Sequence, residues 1–147
     1  GELGDFEIVV FSANRTTVRL AKKVARETGI NIVTHKKNTL SREQILNLFA
    51  RSKIYIGVSK SDGISTSMLE AMAMGAIPIQ TSTSCCDEWF RDSGVVVKKI
   101  NVERVKEAII AGLSIAEDNV SSRQNRETIE RRAAEDVVKK MALSFYH

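Results

Sequence analysis

The feature that most constrains this chain is an alternation of short, β-branched apolar runs with longer stretches of helical periodicity. Residues 6–11 (FEIVVF), 31–34 (NIVT), 53–58 (KIYIGV), 76–80 (AIPIQ) and 94–97 (GVVV) each have the length and composition of a buried strand. Between the first two, residues 15–28 place Val18, Ala21, Val24 and Ala25 on one helical face and stop at Gly29. Ser41-Arg-Glu-Gln44 is a capping box, with Leu40 and Ile45 as its hydrophobic staple, and it opens a helix to about Arg51. An apolar helix over about 67–74 closes at Gly75, and a short helical piece covers 87–91. Strands separated by helices must be joined by crossovers, and successive crossovers build a parallel sheet. The expected fold is therefore α/β: a doubly wound, mostly parallel sheet with helices on both faces, forming a single domain over residues 1–147. From Asn101 one helix is expected through about Ile115 and a second from about Ser121 to the end. In that second helix Ile129, Ala133, Val137 and Met141 recur every fourth position among charges that read as a solvated face.

Composition removes several classes. With 147 residues, 43% apolar and 27% charged, the chain can build one core but hardly two. No apolar run approaches the roughly 20 residues of a membrane helix, and the first five residues lack the layout of a signal peptide, so a cytoplasmic protein is expected. Cys85 and Cys86 are adjacent, which suits neither an ordinary disulfide nor a four-ligand metal set, and small apolar packing is expected of both. The net charge of +4 is read as spread along the chain, through Lys22, Lys23, Lys36, Lys37, Lys98 and Lys99, rather than collected in one tract. Such a balance is compatible with anionic ligands or lipid headgroups and gives no sign of a nucleic-acid partner.

Chemistry concentrates in residues 59–81, SKSDGISTSMLEAMAMGAIPIQT. A strand runs into Asp62-Gly63-Ile64-Ser65-Thr66-Ser67 and a helix starts there, so unpaired backbone N–H groups and the positive end of a helix dipole meet at the ligand side of a parallel sheet. Gly63 permits a tight turn, and the three hydroxyls of Ser65, Thr66 and Ser67 add donors without bulk. Asp62 and Glu70, eight positions apart, flank this anion site with carboxylates able to accept from sugar hydroxyls. Phosphate in the middle and hydroxyls at both ends is the layout of a nucleotide sugar. A blander reading stands beside it: Ser67-Met-Leu-Glu70 is itself a capping box, in which Glu70 only reaches back to the Ser67 amide, and Asp62-Gly63 is a common turn pair. Met68, Leu69, Met72 and Met74 read as core filling, and Trp89 and Phe90 as anchors of their short helix. His35, near a strand end, reads as a polar surface residue.

The same segment resembles the signature of the retaining GT-B glycosyltransferases, the glycosyltransferase group 1 family. Members carry a serine after a strand, an acid-Gly turn, a second acid downstream and the run E-A-M-A-x-G-x-P-V; here that run is Glu70-Ala-Met-Ala-Met-Gly-Ala-Ile-Pro78-Ile. The stretches LSREQILNLFARSKIYIGVS and CCDEWFRDSGVVV resemble the family's flanking elements, so the likeness covers nearly the whole chain. It implies the Rossmann-like C-terminal half of a GT-B enzyme that transfers a sugar from a nucleoside diphosphate sugar, of uridine or guanosine type, to a glycan or lipid-linked acceptor. By that resemblance Asp62 contacts the donor sugar near the reacting carbon as the catalytic residue, Glu70 binds the ribose hydroxyls, and the amides of Thr66 and Ser67 hold the diphosphate. Gly63 and Ser65 belong to the same donor-binding turn, and no metal or separate cofactor is implied. Asp62 stands where many members have Glu, and Gly63-Ile64-Ser65 where many have Gly-Phe-Gly, which implies a donor preference of its own.

The family's basic Gly-Arg and Lys clamp, its first strand and its acceptor-binding N-terminal domain would all precede Gly1, so the isolated chain is expected to be inactive without that other half. The resemblance also implies peripheral contact with the inner face of a membrane through lipid-linked acceptors, and a final helix that returns towards the acceptor domain. Two further readings of the residues remain open at this point. A nucleotide-sugar epimerase shares the fold and a Ser/Gly-rich turn before a Glu-bearing helix, and a non-catalytic nucleotide-binding or interaction module would also fit.

Overall fold

A computed structural model of the chain describes residues 6–60 and 63–144, the side chains at 137 and 142 excepted. The elements follow the expected alternation: β1 (Ile8–Ala13), α1 (Arg15–Thr28), β2 (Ile32–Lys36), α2 (Arg42–Arg51), β3 (Ile54–Gly57), α3 (Thr66–Ala73), β4 (Ile77–Thr81), α4 (Asp87–Phe90), β5 (Val95–Val97) and α5 (Val102–Ile115). Local capping explains most of these boundaries. Asn14 accepts from the Thr17 amide at 2.8 Å to start α1, and Gly29, at φ 74°, ends it in the left-handed conformation a glycine adopts without strain. The Ser41 and Gln44 box forms reciprocally, with Ser41 N–H donating to Gln44 Oε1 at 2.8 Å and Gln44 N–H to Ser41 Oγ at 3.2 Å. Asn101 accepts from the Arg104 amide at 2.8 Å and starts α5.

All strand pairs are parallel, as the crossovers require, but they form two ladders rather than one sheet: β1 with β2, and β3-β4-β5 with β4 in the middle. The chain correspondingly divides into two compact units, Gly1–Ile45 and Leu46–His147.

In the first unit α1 packs on β1 and β2, whose residues are mostly half-exposed; Ala13 and Ala21 are the buried apolar residues among those described. The register between β1 and β2 shifts at Val10/Ala13, where Ser12 takes a positive φ of 60°.

In the second unit helices cover both faces of the three-stranded sheet. Residues paired in register share a face. Ile54, Ile79, Val95 and Val97 pack against Val105, Ala108 and Ile109 of α5. Tyr55 and Val96, on the opposite face, pack against Met68 and Met72 of α3 and Phe90 of α4. Ile77, Ile79, Met68 and Met72 are fully buried, so the central strand reads as a continuous apolar run because both its faces are covered.

One sequence expectation fails outright. The last helix is two: α6 (Val120–Ala133) and α7 (Glu135–Ser144), separated by Ala134 in an extended conformation, φ −61° and ψ 142°. No Gly or Pro marks the break. α6 is held from below: Ile129 joins the Met68/Met72/Phe90 cluster, Asn125 and Ser93 exchange buried hydrogen bonds, and Arg132 lies 4.3 Å above the Trp89 ring. α7 lacks comparable anchors among the described contacts and leaves Val138, Met141 and Leu143 exposed. Lys139 and Glu135 pair there at i,i+4, 2.6 Å apart.

Candidate functional site

The loop singled out in the sequence leaves the C-terminal end of β3 and enters α3. Its start is pinned to the end of β4: the Ser59 carbonyl accepts from Thr81 Oγ1 at 2.8 Å and from Thr83 Oγ1 at 3.2 Å. Asp62 lies outside the described residues. Gly63 is exposed, with open space where a Cβ would stand. Ser65 caps α3: its Oγ accepts from the Met68 amide at 3.3 Å and its carbonyl from the Leu69 amide at 3.1 Å.

That cap overturns the bland reading of Glu70. With Ser65 at the N-cap, Met68 is the third helical residue, and Glu70 sits in the second turn, too far along to close a box with Ser67. Thr66 and Ser67 become the first two helical residues, and their N–H groups meet no acceptor among the described residues. They are the donors that a helix start offers to an anion. Gly63, Ser65, Thr66 and Ser67 therefore come together in one turn, Ser67 and Glu70 are half-buried, and Thr66 is exposed.

Sequence reasoning missed a buried amide on the neighbouring strand. Gln80 is fully buried on β4, and neither its Oε1 nor its Nε2 has a hydrogen-bond partner among the described residues. It pairs in register with Gly57 and Val96, on the face that α3 covers. Gly57 makes that placement feasible: a Cβ there would stand 2.0 Å from Gln80 Oε1. Ser59 Oγ, at the same end of the sheet, is buried and unpartnered as well. The available signal was one amide following the apolar run Ile77-Pro78-Ile79.

Other expectations sort as follows. Met68, Met72 and Phe90 are core residues, and Leu69 and Trp89 pack against them half-buried. Cys86 is buried and Cys85 is exposed at a positive φ of 47°, so the packing role holds for one cysteine only. Burial pushes the Cys86 thiol pKa up, and the Asp87 carboxylate adds to the effect. His35 lies at the end of β2, half-exposed. A groove of about 430 Å³ between β5 and α5, lined by Val95, Val97, Lys98, Arg104, Ala108 and Ala111, shares no residue with the α3 turn. Among the described residues no three of His, Cys, Asp and Glu gather as a metal site would require.

Parallel strands, helices on both faces of the three-stranded sheet, and a strand-loop-helix turn whose first helical amides meet no acceptor among the described residues match an α/β layer of the GT-B glycosyltransferase type. The chain belongs to the family described as glycosyl transferases group 1, whose profile matches residues 8–133. Over 76 residues it is 36% identical to a glycosyltransferase of a Sulfolobus islandicus filamentous virus (isolate Iceland/Hveragerdi), a match covering 45% of this chain and 23% of that protein. Its fold is similar to a glycosyltransferase from Rickettsia africae, with a TM-score of 0.75, 18% identity, and coverage of 97% of this chain and 39% of the other. A sucrose-phosphate synthase from Thermosynechococcus elongatus gives a TM-score of 0.72 at 14% identity, over 95% of this chain and 37% of its own. The chain thus spans less than half the length of each of these proteins. No described helix is long and apolar enough to cross a membrane.

Proposed function

We propose that this chain is the donor-binding part of a retaining glycosyltransferase that moves a sugar from a nucleoside diphosphate sugar, of uridine or guanosine type, to a glycan or lipid-linked acceptor. The observation that carries the reading is the start of α3, where the Thr66 and Ser67 amides meet no acceptor among the described residues, at the C-terminal ends of β3 and β4. A helix start so placed suits a diphosphate. Family membership favours a transferase over an epimerase or a purely non-catalytic module.

In this reading Thr66 and Ser67 donate to the diphosphate, and Gly63 lets the chain approach it without a side chain in the way. Glu70, one turn into the helix, accepts from ribose hydroxyls, and Asp62 contacts the sugar next to the reacting carbon. The bond from that carbon to the phosphate oxygen breaks and a bond to the acceptor oxygen forms on the same face, while the acceptor's proton passes to the departing phosphate. The amides contribute by stabilising the negative charge that grows on the leaving group. Acceptor binding belongs to a further domain of the parent enzyme, and residues 1–147 act as one donor-binding module of a cytoplasmic protein in peripheral contact with a membrane.

The test is a titration of uridine and guanosine diphosphate sugars into isotope-labelled chain, following backbone amides, with Glu70→Gln alongside. Saturating shifts confined to residues 63–70, weakened in the variant, are expected. Unchanged amides at millimolar nucleotide would sink the donor-site reading for this chain.

A further inference from the structure

The net charge, read above as spread along the chain, in fact collects in one stretch, residues 15–26, which the fold winds into α1. α1 carries Arg15, Arg19, Lys22, Lys23 and Arg26 against one acid, Glu27, for a net +4. That equals the net charge of the whole chain, so everything outside this helix sums to neutral. At 3.6 residues per turn the five cations fall within an arc of about 100°. All five are exposed. The opposite side of the helix, with buried Ala21 and half-buried Val18, Val24 and Ala25, is already committed to β1 and β2. Lys23 leans towards Glu27 at 3.8 Å, on the edge of the arc, and both are well exposed. Arg15, Arg19 and Lys22 have no ion-pair partner among the described residues. Leu20 lies beside the stripe and is 59% exposed.

We propose that the outer face of α1 is a docking surface for an anionic lipid bilayer. Five cations along one helix about 21 Å long present a line of charge to a plane, which is the geometry a flat field of headgroups can meet all at once. Single-stranded nucleic acid fits less well, since α1 carries no aromatic side chain for a base to stack on, and a duplex is set against the bilayer in the experiment below. Because the apolar face of the helix is occupied by the sheet, attachment is electrostatic, with only Leu20 available to dip below the headgroups. It follows that binding is reversible and is lost as salt shortens the reach of the charges. This gives the membrane contact of the proposed function a definite surface, and it stands apart from the donor chemistry.

The experiment is co-sedimentation of the chain with vesicles of phosphatidylcholine alone and of phosphatidylcholine mixed with phosphatidylglycerol. Partition into the mixed vesicles only is expected, abolished by raised salt. Arg19→Gln with Lys22→Gln lowers that partition by about twentyfold. Lys98→Gln with Lys99→Gln, which removes the same charge from the second unit, lowers it by only a few fold. Both double variants should melt with the parent by circular dichroism, since all four residues are exposed. Equal losses in the two variants would reduce the effect to bulk charge and overturn the assignment. So would binding to neutral vesicles, or binding that survives raised salt. A mixed-sequence DNA duplex that displaces the vesicles at equal phosphate concentration would reassign the stripe to nucleic acid. Amide shifts on nucleotide addition persist in the α1 variant, so a failed docking surface and a failed donor site give different results.

Discussion

The two units of this chain use the same parallel βα grammar to different ends. In the second unit every residue of β4 is buried, because α3 and α4 cover one face of its sheet and α5 the other. In the first unit β1 and β2 remain mostly half-exposed under a single helix, and the outward side of that helix carries the chain's net charge. Parallel ladders gain their stability from apolar contact on both faces. The comparison teaches that stability is concentrated in Leu46–His147, together with the candidate donor turn, whereas the distinctive property of Gly1–Ile45 is electrostatic.

The sharpest way to break this comparison is to cut both cores. Met72→Ala, at a fully buried position, should cost about 2–5 kcal/mol in urea unfolding, while Val10→Ala, half-buried on β1, should cost about 1 kcal/mol. Equal losses would show that the first unit is as tightly packed as the second. Next comes Gly57→Ala, whose methyl collides with the Gln80 amide and should destabilise by about 1–3 kcal/mol. Pairing it with Gln80→Ala, which clears the collision, should recover part of that loss.

A smaller effect of opposite sign is expected of Gln80→Met. It keeps the shape but removes two buried polar atoms that have no partner among the described residues, and should raise stability by about 1–2 kcal/mol. A fall in melting temperature would mean that the amide is satisfied within the fold. The smallest effect concerns the two cysteines. At neutral pH a maleimide should label Cys85 in the folded chain and reach Cys86 only on unfolding, as mass spectrometry can read. The folded Cys86 thiol has its pKa raised. Its contribution to stability is therefore complete below the pKa of the unfolded thiol and is lost as pH rises through the folded value.

Much of the architecture was legible because it is written in short-range contacts. Asn14, Ser41 with Gln44, and Asn101 each satisfy an amide within three residues, so the starts of α1, α2 and α5 follow from the sequence alone. The candidate turn was legible for the same reason, since a strand, a Gly and three hydroxyls precede an apolar helix without interruption. Its details were less so. Ser65 and Ser67 are both chemically able to cap α3, and in the fold Ser65 takes the role, with Met68 and Met72 of the same helix packed in the cluster with Tyr55 and Val96. That choice moves Glu70 beyond the third helical position that a capping box requires.

The sequence by itself determined the order of strands and helices, the parallel sense of their pairing, the glycosyltransferase group 1 family and the position of the anion-accepting turn, because each depends on neighbours a few residues apart or on a contiguous motif. The tertiary structure alone decided that five strands form two ladders, that the last helix breaks at Ala134, that Gln80 lies buried over Gly57, and that the sheet commits one side of α1 and leaves its cations to solvent. These depend on residues far apart in the chain meeting across a sheet or a helix face, where packing rather than local preference chooses among conformations that the sequence permits equally.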